Sequence, residues 1–298
     1  MILRLKILRG EKFNMWAQAK SWLLALLQLI HNTITGIGLS SNFAWGLAII
    51  ILTLIVRAAM HPLTQRQMLS MQKMQKIQPM LKVLQEKYAD DKDALNRETM
   101  ALYKEHKINP ASGCLPLLIQ LPMFILLYGV LYDLTKTEAF TNVTFFGVNL
   151  GGSVLTTIAD ALNLYKEVIV DGVTTQVPVP TEELGVVMVF LSAFTNLGLL
   201  FSNIGMWIFN FILLILIAFL TWYQQHISSA GNPQMAMMNW FMPLFLTFIC
   251  FSLPGGVLLY WGVSSLMGIV HQLRVSKKTA VEMSTKPTLY QEKPKSAK

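Results

Sequence analysis

Charge is what this sequence is short of. Only 13% of its 298 residues are Asp, Glu, Lys or Arg, while 53% are hydrophobic, and a soluble domain carries about 25% charged residues to cover its surface. That balance excludes an ordinary soluble fold. Cysteine is scarce as well. Cys114 and Cys250 are the only two, and both fall at or within apolar runs, which excludes a disulfide framework and a cysteine-based metal centre. The five histidines (His31, His61, His106, His226 and His271) are scattered. None forms an i, i+4 pair, so no H-E-x-x-H metalloprotease signature exists. Nor is there a dense Arg/Lys block with interleaved aromatics. The +8 net charge therefore reads as a matter of orientation rather than DNA binding, with ribosomal RNA a candidate partner for the basic tail alone. No cofactor or metal is expected.

What the sequence has in abundance is long apolar runs. Crossing about 30 Å of hydrocarbon takes roughly 20 residues, and five runs qualify: 43–60, 114–132, 205–223, 236–253 and 255–271. The last two are separated by Ser252-Leu253-Pro254-Gly255, a tight turn that makes them a helical hairpin. Charge between the runs sets direction. Segment 61–113 has nine Lys/Arg against six acids; 134–204 has two Lys against six acids; from Arg274 to the end there are seven Lys/Arg against two Glu. The positive-inside rule then places 61–113 and 272–298 in the cytoplasm and 133–204 outside, and the alternation of five spans puts 224–235, which has no formal charge, inside. A sixth apolar run, 184–202, would reverse the tail if it spanned, so it is expected to be an interfacial or re-entrant helix. Segment 1–42 carries Arg4, Lys6, Arg9, Lys12 and Lys20, followed by Trp22, Leu23, Leu26, Leu27 and Ile30 at helical spacing. This is the pattern of an amphipathic helix lying in the membrane interface.

Residues 63–107 are polar and helix-forming. Met74, Ile77, Leu81, Leu84 and Tyr88 recur at spacings of 3, 4, 3 and 4, a heptad seam, with Pro79 expected to kink it. A break at 89–93 precedes a second helix over about 94–107, so the segment reads as an antiparallel helical hairpin. Met60, Met68, Met71, Met74, Met80 and Met100 enrich it in flexible, polarisable side chains. These serve either as hairpin core or as a surface for varied apolar partners, and Met71, Met74 and Tyr88 are the candidate contacts.

Within the spans, Arg57 stands out. It ends an otherwise apolar stretch from Ile49 to Val56. An arginine at mid-bilayer costs roughly 2.5–3.5 kcal/mol on insertion scales. Arg57 either faces a hydrated cavity or snorkels to the surface near His61-Pro62. Thr53 shares its helix face. Gln120, Ser264 and Ser265 lie in other spans; each singly bonds a neighbouring helix or its own backbone, and together with Arg57 they would line a polar groove. Tyr260 and Trp261 follow the Pro-Gly turn and belong either to that groove or to an interfacial aromatic belt.

These residues resemble one family. Asn109-Pro110, Gly113-Cys114, Pro116, Ile119-Gln120, Pro122, Phe124 and Leu127-Tyr128 reproduce the N-P-x-x-G-C-x-P-x-x-I-Q-x-P-x-F-x-x-L-Y block of YidC-type membrane protein insertases. Thr53-x-x-Val56-Arg57 with Pro62-Leu63-Thr64 is similar to that family's first core span. Met242-Pro243 and Pro254-x-Gly256-x-x-Leu259-Tyr260-Trp261 are similar to its last two. The resemblance covers 43–133 and 205–273. It implies an all-α polytopic membrane protein: a five-transmembrane-helix insertase core with a cytoplasmic antiparallel coiled-coil hairpin, and a hydrophilic groove open to cytoplasm and lipid but closed outside. In that groove the matching arginine attracts acidic parts of the substrate, and residues matching Thr53 and Trp261 line the path. The implied partners are nascent membrane proteins, the ribosome, the Sec translocon and membrane lipids. Two departures stand: many members have Asn where this chain has Ser265, and the 140–203 insert is too short to be the large outer domain of some bacterial members. The competing readings are a structural subunit of a membrane complex, a transporter, for which no internal repeat is found, and an intramembrane protease, for which no histidine is placed beside a candidate serine.

Overall fold

The computed structural model describes residues 2–106, 115–137, 140, 142–170, 173–178, 185–229 and 236–285. Asn109, Pro110, Gly113 and Cys114 of the sequence block above, and the chain end beyond 285, lie outside the described residues. The chain is mostly helical. Helix α1 (Ile2–Gly36) leads into α2 (Ser41–Ala59), which continues into α3 (His61–Lys76), α4 (Gln78–Lys87) and α5 (Lys92–Glu105). After α6 (Leu115–Thr135) come β1 (Thr144–Phe145), β2 (Val148–Asn149), α7 (Val154–Ala161), β3 (Tyr165–Val170) and β4 (Val173–Pro178). Helices α8 (Val186–Thr195), α9 (Leu197–Ser202), α10 (Ile204–Ser229), α11 (Ala236–Cys250) and α12 (Gly255–Thr285) complete it.

Among the described residues, three stretches are both long and apolar enough to cross a membrane: Ser41–Ala59, Ile204–Ile227 and Gly255–Val275. Helix α2 shows why. Its 19 residues at 1.5 Å each span about 28 Å, near the thickness of the hydrocarbon. Gln120–Thr135 and Trp240–Cys250 are shorter apolar stretches of α6 and α11. Most of the buried side chains form one core, in which Leu27 of α1, Ile49 and Leu52 of α2, Leu131 of α6, Leu214 of α10 and Leu258 of α12 are each 1% exposed or less. Outside it, large apolar side chains such as Leu216, Phe219, Leu244 and Phe248 are half or more exposed. A soluble protein rarely leaves so much apolar area contiguous, and a lipid-facing one does. Among the basic residues near the chain start, Lys20 pairs with Asp133 of α6 at 2.6 Å. Trp22, placed in the apolar stripe of α1 by its spacing, is 78% exposed, whereas Leu27 and Ile34 of the same helix are buried.

The α3–α5 segment has a small core of its own, in which Ile77, Leu81 and Tyr103 are buried and Met74 and Leu102 pack against them. Met74 thus contributes to the hairpin's interior. Tyr88 is partly buried beneath Lys87, whose Nζ sits 5.1 Å from the ring centroid. The side chain of Met71 lies outside the described residues. Pro79 does not kink a continuous helix: α3 stops at Lys76 and α4 restarts at Gln78, with Pro79 in its first turn, where the missing N–H is harmless. Helix α5 begins at Lys92, two residues before the expected 94, because the Asp91 side chain accepts from the Ala94 N–H at 2.9 Å and caps the end.

The all-α expectation needs correction. Two small antiparallel hairpins, β1–β2 and β3–β4, occupy the 133–204 segment beside the capped helix α7, whose Ser153 and Thr156 form a reciprocal capping box. The β1–β2 turn is Phe146-Gly147, both with positive φ (49° and 83°), the primed geometry that two-residue hairpins favour. An aromatic residue there is not a turn signal, and its rings explain the exception: Phe146 packs edge-on against Phe145 at 4.7 Å and Phe43 at 5.4 Å. The apolar run 184–202 is divided at Asn196 into α8 and α9. At 10 and 6 residues these reach about 15 and 9 Å, so neither crosses hydrocarbon alone.

Candidate functional site

Arg57 sits in the last turn of α2, partly buried rather than displayed at the surface. Its guanidinium reaches two other helices. The Arg57 Nε donates to Ser264 Oγ of α12 at 2.7 Å, and Nη2 donates to the same hydroxyl and to Gln120 Oε1 of α6 at 3.0 Å. Gln120 in turn donates from Nε2 to the Tyr260 hydroxyl at 2.7 Å. Thus α2, α6 and α12 are joined by a chain of side chains, Ser264–Arg57–Gln120–Tyr260. Helical spacing explains why α12 supplies two of them: Tyr260 and Ser264 are four residues apart and share a face.

The energetics follow from what these partners are. Each is neutral, and the Lys20–Asp133 ion pair lies elsewhere in the fold. Hydrogen bonds to a charged group are worth about 1.5–3 kcal/mol each, so two of them are of the same order as the insertion penalty of an arginine. They do not cancel the charge. The site therefore holds an unneutralised cation in a partly dehydrated setting, where an approaching carboxylate is felt more strongly than in water. The Nε and Nη2 of Arg57 are both engaged by neighbouring helices.

The other expected residues divide. Thr53 is 1% exposed, and its hydroxyl donates to the Ile49 carbonyl of its own helix at 2.6 Å, the usual fate of an in-helix hydroxyl. It does not bond Arg57. It lines a small cleft together with Leu23, Leu52, Val56, Met123, Leu127 and Tyr260. That cleft is walled by apolar side chains, with the polar chain at its Tyr260 side. Trp261 is partly buried and packs edge-on against Phe124, ring centroids 5.3 Å apart. Ser265 is buried at 5% exposure, but the bonds from Arg57 go to Ser264. Tyr260 is 3% exposed, so it belongs to the interior and not to an exposed aromatic belt. Among the described residues no group of three or more His, Cys, Asp or Glu comes together as a metal site.

Three arrangements were not anticipated from the sequence. His61 at the start of α3 stacks on His271 of α12 at 4.8 Å and 17°, tying the start of the α3–α5 segment to that helix; the two are 210 residues apart in sequence and carry no spacing signal. The second is the Lys20–Asp133 pair. The third is Asn210, fully buried in α10. It was legible in principle, as an amide within the apolar stretch Trp207-Ile208-Phe209-Asn210-Phe211.

A polytopic helical membrane protein with a hydrogen-bonded cation between its helices is the class that this fold and site define. Residues 37–282 match the model of the family described as the 60Kd inner membrane protein, and the chain belongs to that family. Among its relatives, the membrane protein insertase YidC of Rickettsia felis is 33% identical over 247 residues, 80% of this chain and 36% of the relative. That of Aeromonas salmonicida is 30% identical over 266 residues, 86% and 35%. That of Lawsonia intracellularis is 55% identical over a shorter 89 residues, 30% and 17%. A crystal structure of active YidC insertase with its first transmembrane domain resolved superposes with a TM-score of 0.52 at 25% identity, covering 86% of this chain and 45% of that one. The chain spans about a third of the length of the curated relatives it matches.

Proposed function

We propose that this chain is a membrane protein insertase and chaperone, which moves polar segments of nascent membrane proteins partway across the bilayer and releases their apolar helices into lipid. The observation that carries the reading is the Arg57 guanidinium held between three helices by neutral partners, Ser264 and Gln120. A cation kept within the membrane without a counter-charge attracts acidic stretches of an incoming chain. The work required is a lower desolvation cost for a short polar segment, with no bond made or broken, so no catalytic residue or cofactor is invoked. Membership of the 60Kd inner membrane protein family and the similarity to the YidC insertases of Rickettsia felis and Aeromonas salmonicida support the reading.

In this proposal five helices, α2, α6, α10, α11 and α12, span the membrane. The α3–α5 segment is a cytoplasmic antiparallel coiled-coil hairpin, and the 133–204 segment lies outside. Arg57, Gln120, Tyr260 and Ser264 form the polar side of the substrate path. Thr53 and Trp261 flank it, with Ser265 adjoining. Partners are nascent chains, the ribosome through the hairpin and basic tail, the Sec translocon, and lipid around the exposed faces. Site-specific crosslinking from position 53 or 261 to a stalled nascent membrane protein tests the path; crosslinks to lipid alone would refute it. A cysteine placed at Asp91 tests the orientation and should react with an impermeant maleimide only from the cytoplasmic face.

A further inference from the structure

The 143–155 segment is bound to the spanning helices by an unusual amount of polar backbone. Asn210, 0% exposed in α10, accepts from the Asn149 N–H at 2.8 Å and donates to the Asn149 carbonyl at 3.0 Å. A further contact reaches the Gly152 carbonyl at 3.3 Å. The Asn149 side chain accepts from the Gly151 and Gly152 N–H groups at 3.0 and 2.8 Å. The same loop meets the α11–α12 turn. Gly255 N–H donates to the Gly152 carbonyl at 2.8 Å, Gly256 N–H to the Leu150 carbonyl at 2.9 Å, and Leu155 N–H to the Phe251 carbonyl at 3.1 Å. The first N–H groups of a helix have no partner within it, and here loop carbonyls satisfy two belonging to α12. The fit is close: a Cβ on Gly255 would lie 2.1 Å from the Asn149 carbonyl oxygen.

Beneath this contact is a dry layer. A Cβ on Gly256 would meet Ile49 of α2 at 3.2 Å, the Leu150 carbonyl at 3.3 Å and Leu131 of α6 at 3.4 Å, so three spanning helices and the loop converge there. Ile49, Leu131, Leu150 and Val257 are each 0% exposed. Ile49 lies eight residues before Arg57, about 12 Å along α2. The polar site is thus separated from the loop by packed hydrocarbon.

We propose that Asn210 locks residues 149–152 onto α10 and the start of α12, and that this lock is what holds shut the outer end of the groove, whose closure the family resemblance already implies. Packed side chains alone would shut the layer only while the helices stay together. The loop joins α10 to the start of α12 through obligatory backbone groups, and burying those unpaired would be costly. Asn210 is therefore a positioning residue for the insertion path. The proposal rests on the orientation given above, in which the 133–204 segment is outside.

The test uses the full chain in proteoliposomes, with Cys114→Ser and Cys250→Ala as background and a single probe, Val56→Cys, in the cleft wall. An impermeant maleimide is added to either face. With Asn210 intact, labelling comes from the cytoplasmic face only. Asn210→Ala and Asn149→Ala should each raise labelling from the outer face by at least about tenfold, the equivalent of about 1.4 kcal/mol of lost closure, with cytoplasmic labelling unchanged. Outer-face labelling at the parental level in both variants, with cytoplasmic labelling retained, overturns the proposal. If Asn210→Ala does not fold, Asn149→Ala decides alone, since it leaves α10 intact. Phe146→Cys, 74% exposed in the native chain, separates the two ways of failing: labelling of it from the cytoplasmic face overturns the orientation, independently of the lock.

Discussion

Replacing Arg57 with Ala removes a cation that links α2 to α6 and α12, and its consequence can be worked from the geometry. The guanidinium is bonded to neutral groups, so its field is not cancelled locally. A carboxylate passing about 8 Å away at an effective dielectric constant of about 20 gains about 2 kcal/mol, or roughly 30-fold in occupancy. A neutral segment gains nothing from that term. The expected result is therefore selective: insertion of a substrate with an acidic translocated tail falls by about 10- to 30-fold, while a matched substrate with the acids changed to Asn and Gln falls far less. The assay is protease protection of the paired substrates in proteoliposomes at low and high salt. Arg57→Lys should retain most of the preference, because it keeps the charge while losing the planar fork that reaches two partners at once. Equal loss for both substrates in Arg57→Ala would refute the electrostatic argument and leave Arg57 a structural tie.

Tyr260→Phe deletes the acceptor of the Gln120 amide and should destabilise the protein by about 1–3 kcal/mol, read as a lower thermal midpoint in detergent; no change would mean that the amide finds another partner. Gly46→Ala places a Cβ 2.1 Å from the Phe145 ring, which is 6% exposed and cannot swing clear; overpacking of about 1–3 kcal/mol is expected, relieved by adding Phe145→Leu. Burial raises the carboxyl pKa of Asp160 above its ordinary value, and its position near the C-terminal end of α7 adds to the disfavour of a negative charge. A group whose folded pKa is raised stabilises below its unfolded pKa, near 3.9, and loses that contribution as pH rises through the folded pKa. Asp160→Asn should accordingly raise the neutral-pH thermal midpoint and flatten its rise on acidification; an unchanged pH profile would refute it.

Much of this protein was readable before any coordinate. Long uncharged runs have few options in water, so apolar length alone established a membrane protein, and the Met74–Tyr88 spacing marked a helical pair with its own core. Arg57 was conspicuous because a charge in a run of Ile, Leu and Val is costly wherever it sits. What spacing could not resolve was its company. Gln120 and Ser264 are 63 and 207 residues away, and nothing in a one-dimensional pattern distinguishes Ser264, which bonds Arg57, from its neighbour Ser265, which is turned elsewhere. The same holds for Thr53, whose spacing placed it on the arginine's face while its hydroxyl turned back to its own helix.

Local sequence determined which segments become helices and which of them prefer hydrocarbon, because hydrogen bonding and solvent transfer act residue by residue along the chain. Tertiary structure alone decided which polar groups meet: the Arg57 cluster, the His61–His271 stack and the Asn210–Asn149 bonds each join residues remote in sequence. Buried polar groups are satisfied by whatever packing brings within about 3 Å, and that is a property of helix placement, which no single segment carries.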